Sequence, residues 1–254
     1  MSKFLKYMHL ERFGSDEVDG IELGTTYVFP KLDGTNAQVW GSWNVLNEFD
    51  VKAGSRNREL STGADNAGFY SWVLEGVESA PIVSLLKSNP HLTLYGEWLV
   101  PHSLKTYRDD AWRKFYVFDV FDQTSGKFLH YEDYQELLEH FGVTYLPPIA
   151  IIKNGCYEKY EKCLEKNTFG IKDGEGIGEG VVIKNYEWTN KFGRVEWAKL
   201  ITNHFKEKHH AAMGAPIVGG KMLEEEIAEE FVTQHLVDKV QAKIILQHGG
   251  WSSK

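Results

Sequence analysis

The stretch Thr25-Thr26-Tyr27-Val28-Phe29-Pro30-Lys31-Leu32-Asp33-Gly34-Thr35-Asn36-Ala37-Gln38-Val39-Trp40 sets two strand-like runs on either side of a short turn. Residues 25–29 are rich in β-branched and aromatic side chains, and residues 37–43 follow with Val39 and Trp40 apolar. Between them stands Lys31-Leu32-Asp33-Gly34-Thr35-Asn36, in which Asp33-Gly34 is a turn that lets the backbone approach a ligand closely. Further along, residues 92–95, 115–121 and 180–185 give short runs rich in Val, Ile, Phe and Tyr. Helical periodicity stands at 69–78, 131–141 and 157–167. Short strands mixed with a few separate helices, without regular βαβ alternation, predict an α+β fold with antiparallel sheets flanked by helices. No Walker or Rossmann glycine fingerprint occurs, so a nucleotide is not expected at a P-loop.

The carboxyl end changes character near residues 214–220. From 221 to about 247, Leu223, Ile227, Phe231, Val237, Val240 and Ile244 recur at mostly helical spacing and predict a long amphipathic helix, with the neighbouring glutamates solvated. The expected organisation is a main domain over 1–213, then a linker and helix over 214–254 that would open a truncated helical domain.

A chain of 254 residues, 42% hydrophobic and 25% charged, suits one globular domain with an appendage. No apolar run reaches the ~18–20 residues that cross a bilayer, and the amino terminus lacks the apolar core of a signal peptide. Cys156 and Cys163 lack Cys-x-x-Cys spacing and are expected to be reduced and structural. A cytoplasmic monomer is expected, in the host cytoplasm for a viral chain. The net charge of −8 excludes a surface coated in positive potential and leaves a local basic groove as the route to nucleic acid. Basic residues gather at Lys52, Arg56 and Arg58, again at Lys105, Arg108, Arg113 and Lys114, and again from Lys184 to Lys208. His204, His209 and His210 read as part of a solvated basic tail rather than as a metal site.

Lys31 is the candidate nucleophile. A free lysine titrates near ~10.4, so it attacks phosphorus only after losing a proton, a loss that neighbouring cations favour. Such cations also neutralise a triphosphate, and Lys184 and Lys199 each stand beside a strand-like run. Two carboxylates adjoin glycine at strand ends: Glu97 in Tyr95-Gly96-Glu97-Trp98, and Glu179 in Glu179-Gly180-Val181-Val182-Ile183-Lys184. From such a position an acid reaches a ribose hydroxyl or a hydrated magnesium ion. In Phe115-Tyr116-Val117-Phe118-Asp119-Val120-Phe121, alternation sends one set of rings inward, and a ring of the other set can stack on a purine.

In their order along the chain, these motifs resemble those of the covalent nucleotidyltransferase superfamily of polynucleotide ligases and capping enzymes. Within it the chain is most similar to the phage-type RNA ligases that seal RNA ends held in a duplex, relatives of the trypanosome editing ligases. The resemblance runs from about residue 6 to residue 208. It implies a nucleotidyltransferase (ATP-grasp-like) fold and an ATP-dependent RNA ligase that uses Mg²⁺ or Mn²⁺. Lys31 would take AMP from ATP, the AMP would pass to an RNA 5′-phosphate, and a 3′-hydroxyl would displace it, the ends being held as a nicked duplex.

Residue by residue, the resemblance makes Lys31, Lys184, Lys199 and Glu179 catalytic. It puts Glu97 on the ribose, Phe118 on adenine, and Lys184 and Lys199 on phosphate. Glu179 would help hold the metal, joined by Glu97 through water. Asn36 would lie near the reacting phosphates, with Arg56, or Arg58 in its stead, on the 5′-phosphate end of the RNA. Three positions depart from the family's pattern. Pro30 stands where an acid is frequent, Asp33 where some members have histidine, and Trp197 where many nick-sealing members have the first lysine of Lys-x-Lys. An ATP-dependent DNA ligase or a capping guanylyltransferase is a second reading, but in both an OB-fold normally follows this domain, where this chain has a helical pattern. A non-catalytic nucleotide- or RNA-binding module is a third. It predicts that one of Lys31, Glu97, Glu179 or Lys199 is missing, and all are present.

Overall fold

The structure, a computed structural model, describes residues 2–102 and 104–202. The chain divides into two compact units, Met1–Lys208 and His209–Lys254. The second unit lies outside the described residues, and so do the helix expected over 221–247, the boundary expected at 213, and His204, His209 and His210.

Along the described residues run β1 (Glu11–Arg12), β2 (Thr25–Lys31), β3 (Thr35–Trp43), β4 (Phe49–Ser55), α1 (Phe69–Glu75), α2 (Ala80–Ser88), β5 (Leu92–Trp98), β6 (Phe115–Asp122), β7 (Lys127–Phe128), α3 (Tyr131–Phe141), β8 (Ala150–Lys153), α4 (Tyr157–Glu165), β9 (Gly180–Lys184) and β10 (Ala198–Ile201). They build two five-stranded sheets. Sheet A has the order β1-β10-β9-β2-β8, and sheet B the order β4-β3-β5-β6-β7. Every pairing is antiparallel except the parallel one between β1 and β10. This is the α+β class that the sequence pattern predicts.

β2 and β3 do not pair with each other. β2 belongs to sheet A and β3 to sheet B, so the turn at Leu32-Asp33-Gly34 carries the chain from one sheet to the other. The turn is tight for a packing reason. A side chain on Gly34 would stand 2.6 Å from the carbonyl oxygen of Trp98. The absence of a Cβ is therefore spent on the protein's own β5 rather than on a ligand.

Several boundaries differ from expectation. β2 continues through Lys31, which pairs with Gly180, so the lysine is the last residue of a strand instead of part of a loop. β5 runs on to Trp98, because Gly96 and Glu97 keep their partners on both sides, Ala37 and Asn36 on β3, Val117 and Tyr116 on β6. The helix expected to reach residue 78 ends at Glu75, and α2 opens at Ala80 with Pro81 in its first turn, where a missing N–H is tolerated.

Alternation along the strands sorts two faces on each sheet. Val28, Val181, Ile183 and Ala198 of sheet A pack with Val18, Ile21 and the Tyr160 and Cys163 of α4. Ala37, Val39, Leu94, Val117 and Val120 of sheet B pack with Phe69, Leu85, Leu86, Tyr134 and Leu138 from the helices. The remaining faces look toward each other across a third cluster, Tyr7, Tyr95, Val182 and Trp197. The amino-terminal segment bridges them as a strap. Leu5 O accepts from Tyr95 Oη at 2.9 Å on sheet B, and Glu11 N donates to Trp197 O at 3.0 Å beside sheet A.

Candidate active site

Lys31 ends β2 at the seam between the sheets, and Glu179 immediately precedes its cross-strand partner Gly180. Their side chains meet, with Lys31 Nζ 2.5 Å from Glu179 Oε2, and they are 22% and 9% exposed. The lysine is thus reachable from solvent while a carboxylate holds it. Glu179 is fixed in turn through its carbonyl, which accepts from Thr202 N at 3.0 Å. Glu97 arrives from sheet B, its Oε1 accepting from Gly34 N at 3.0 Å. Burial raises the Glu97 carboxyl to about 7; the Lys31 charge opposes that rise and the Glu179 charge adds to it. The structure therefore brings Lys31, Glu179 and Glu97 into one electrostatic group.

Lys199 joins from β10. In register it stands beside Val182, which pairs with Phe29, so it shares the cleft face with Lys31. Burial pulls its pKa down, and the charges of Lys31 and Arg56 pull it further. Asn36 pairs with Glu97, and Arg56 follows Ser55, the partner of Ala37, which sets it next to Asn36 on the same face of sheet B. Asn36 Oδ1 and Arg56 Nε are buried and have no hydrogen-bond partner among the described residues. Buried polar atoms of this kind are normally completed by a ligand or by water. Arg58, the substitute for Arg56, is exposed and ties down its own loop, donating to Ala64 O at 2.7 Å and Asp65 O at 3.3 Å. Arg56 is the arginine of the cleft.

Lys184 is placed elsewhere than on an exposed phosphate site. It is 1% exposed and donates to Asp119 Oδ1 at 2.7 Å and to Phe118 O at 2.6 Å. Its ammonium also lies 4.4 Å from the centre of the Phe29 ring. Burial lowers its pKa, and the Asp119 charge works against that. Asp119 Oδ2 accepts from Tyr7 Oη at 2.5 Å and Trp197 Nε1 at 3.3 Å. Lys184 of sheet A and Asp119 of sheet B thus lock the sheets together beneath the exposed chemistry. Phe118 owes its position to a bulge in β6. Tyr95 pairs with Asp119 and Gly96 with Val117, which leaves Phe118 as the inserted residue. Its half-buried ring lies 5.2 Å from that of Tyr7, centre to centre.

Sequence reasoning passed over Asp119 and Tyr7. An acid in the middle of the otherwise apolar run 115–121 was the available signal for Asp119; nothing in the pattern of residues 2–10 marks Tyr7. Asp33 also has a role of its own. It is buried, it accepts from Leu104 N and lies 2.9 Å from His102 Nδ1, and its own N donates to Tyr107 Oη at 2.9 Å. The segment around residues 102–107 is thereby tied to the turn that follows Lys31.

Among the described residues, no three His, Cys, Asp or Glu side chains gather into a metal cage. The donor set fits an ion of the magnesium type, which keeps several waters and takes one or two carboxylates plus phosphate oxygens. Glu179 and Glu97 are the carboxylates in place.

The family model for RNA ligase matches residues 24–201, a span that holds every expected site residue from Lys31 to Lys199. The chain belongs to the RNA ligase family. No curated protein matches it in sequence. Among solved structures, a mutant of Naegleria gruberi RNA ligase with ATP and Mn is similar to this RNA ligase-family chain, with a TM-score of 0.61 at 20% identity over 82% of this chain and 59% of that one. A mutant with AMP and Mn gives the same values. The same ligase with PPi gives a TM-score of 0.60 at 22% identity, over 83% of this chain and 60% of that one. At this identity the likeness is one of fold, and it agrees with the two antiparallel sheets and flanking helices. The chain spans less than two thirds of the length of the ligase it resembles.

Proposed function

We propose that this RNA ligase-family chain uses ATP to join RNA 3′-hydroxyl and 5′-phosphate ends, held as a nicked duplex, through a Lys31–AMP intermediate. The observation that carries the proposal is Lys31 at the seam between two sheets, in contact with Glu179 and grouped with Glu97 and Lys199. In the first step the Nζ lone pair attacks the α-phosphorus of ATP and forms a P–N bond. The bond from that phosphorus to the oxygen bridging toward the β-phosphate breaks, and pyrophosphate leaves with the electron pair. The Nζ proton leaves through Glu179, the carboxylate already in contact with it.

Glu97 accepts from a ribose hydroxyl and Phe118 offers its exposed side to adenine. Lys199 neutralises charge on the α-phosphate where that charge grows in the transition state. A divalent metal at Glu179 and Glu97 would add charge neutralisation at phosphate. Lys184 acts from below as a positioning residue, through its bond to the Phe118 carbonyl. In the second step an RNA 5′-phosphate oxygen, oriented by Arg56 and Asn36, attacks the same phosphorus and displaces Lys31. In the third the 3′-hydroxyl attacks the RNA phosphorus, AMP leaves, and the phosphodiester is closed. Little acid–base chemistry is needed, so alignment supplies most of the rate.

The family match supports RNA over DNA or cap as substrate, and the relatives with ATP, AMP, PPi and Mn support the nucleotide and metal. Stripped of bound AMP and incubated with α-labelled ATP and Mg²⁺, the protein is expected to carry label on the polypeptide, and Lys31→Ala to carry none. An unlabelled parent protein overturns the proposal.

A further inference from the structure

β1 is two residues long, and its second residue, Arg12, pairs in parallel with Lys199. Register partners share a face of the sheet. The next residue, Phe13, points the other way and packs on Tyr160 of α4, ring centres 5.0 Å apart. Arg12 therefore stands on the cleft face, at the edge of sheet A, one strand outward from Lys199. Its side chain is exposed, and it makes no hydrogen bond or ion pair among the described residues.

That lack of a partner matters because of where Arg12 stands. Lys31, Lys52, Arg108, Lys172, Lys184 and Lys191 each sit against a carboxylate. Arg12, Lys199 and Arg56 have no such counter-ion among the described residues, yet all three converge on the cleft. Their convergence is electrostatically costly. After burial, the charges of Lys31, Arg56 and Arg12 all push the Lys199 pKa down, against Glu11 alone. An anion placed among these cations relieves the repulsion.

Strand order says which anion. Outward from β2 come β9, β10 and β1, so Lys199 stands two strands out from Lys31 and Arg12 one strand further, all on one face of sheet A. With neighbouring strands ~4.8 Å apart, the strand of Arg12 lies about 14 Å from that of Lys31. A displacement at phosphorus runs with the attacking and leaving atoms roughly in line. With Lys31 attacking and Lys199 at the α-phosphate, the rest of the triphosphate points toward β1.

We propose that Arg12 binds the β- and γ-phosphates of ATP and orients pyrophosphate as the leaving group of the first step. The proposal rests on the ATP-dependent reading above and adds a residue to it. A planar guanidinium offers two parallel donors to phosphate oxygens, which an ammonium does not.

The test compares two reactions in Arg12→Ala and Arg12→Lys. In self-adenylylation with α-labelled ATP, Arg12→Ala is expected to raise the KM for ATP about tenfold or more, as for loss of a charged hydrogen bond. Discharge of the Lys31–AMP form by added pyrophosphate should slow by a similar factor. Sealing of RNA supplied already adenylylated, which has no β- or γ-phosphate, should proceed at the parent rate. Arg12→Lys should recover part of the ATP effect. Normal ATP kinetics in both variants overturn the proposal. So does a loss confined to sealing of pre-adenylylated RNA, which would assign Arg12 to the RNA strand. If Arg12→Ala loses both reactions together with its folded melting transition, Arg12→Lys decides by the same two readouts. A parent protein that seals pre-adenylylated RNA but takes no label from ATP refutes the ATP-dependent reading itself, and this proposal falls with it.

Discussion

Glu97 ties the chemistry of the site to the stability of the molecule. Its carboxyl is raised from 4.5 to about 7, by burial first, against the pull of Lys31 and with the push of Glu179. Between those values the folded protein keeps a proton that the unfolded chain has released. The stability it contributes is complete below about 4.5 and is lost as pH rises through about 7, then stays level. A shift of this size is worth at most about 3 kcal/mol, and less where the group still meets solvent in an open cleft. Glu97→Gln removes the titration and keeps the shape. The variant is expected to melt higher than the parent at pH 8, with the difference shrinking toward pH 5. A difference between parent and variant that does not change with pH would show that the carboxyl titrates as an ordinary one.

At the scale of elements, the two sheets are joined by a covalent turn at 32–34 and by a buried ion pair. Lys184 and Asp119 are 65 positions apart, with side chains 2% and 0% exposed. Removing one partner leaves a buried charge uncompensated, which typically costs about 3–5 kcal/mol, whereas exchanging both for apolar groups of similar volume is often near neutral. Lys184→Met and Asp119→Leu are therefore each expected to lower the urea midpoint strongly, and the double variant to recover only part of the loss, because Tyr7 Oη and Trp197 Nε1 still lose their acceptor. A double variant with additive losses would mean that the pair contributes as two separate residues. Labelling should stay low in the double variant, because the Phe118 carbonyl has lost its donor.

This pair also marks how far the sequence could be read. Alternating runs gave the antiparallel α+β class, and Lys31, Glu97, Glu179 and Lys199 stood out by residue type and motif. Their surroundings depended on partners distant in sequence. Gly96 looked like the end of a strand, yet a side chain there would meet Tyr116 O at 2.6 Å, so the glycine is what lets β5 run on to Glu97. The Asp119 partner of Lys184 lies on another sheet, and no spacing rule links the two. Tyr7 is 112 positions from Asp119 and has no periodic context. Arg56 and Arg58 are alike in type and neighbourhood; burial of the Arg56 Nε and the loop bonds of the exposed Arg58 separate them.

The whole molecule carries a net charge of −8 and still assembles a cluster of cations at a seam where both sheets contribute residues. Its affinity for phosphate is therefore local, and occupancy of the seam must be felt by both sheets at once. ATP with Mg²⁺ at about 100 times its Kd should stabilise the folded state by ~2.7 kcal/mol. For a unit of this size that is a rise in melting temperature of about 5–10 °C. Trp40 and Trp98 report from sheet B and Trp197 from beside β10 of sheet A, all buried, so the rise should appear in a single transition of tryptophan fluorescence. Lys31→Ala should keep much of the shift while ATP is present, since it loses one contact and leaves the rest of the pocket. After desalting, the parent should retain a raised melting temperature through its covalent AMP, and Lys31→Ala should return to its ligand-free value. Two transitions, only one of which moves with ATP, would place the nucleotide within one sheet rather than at the seam.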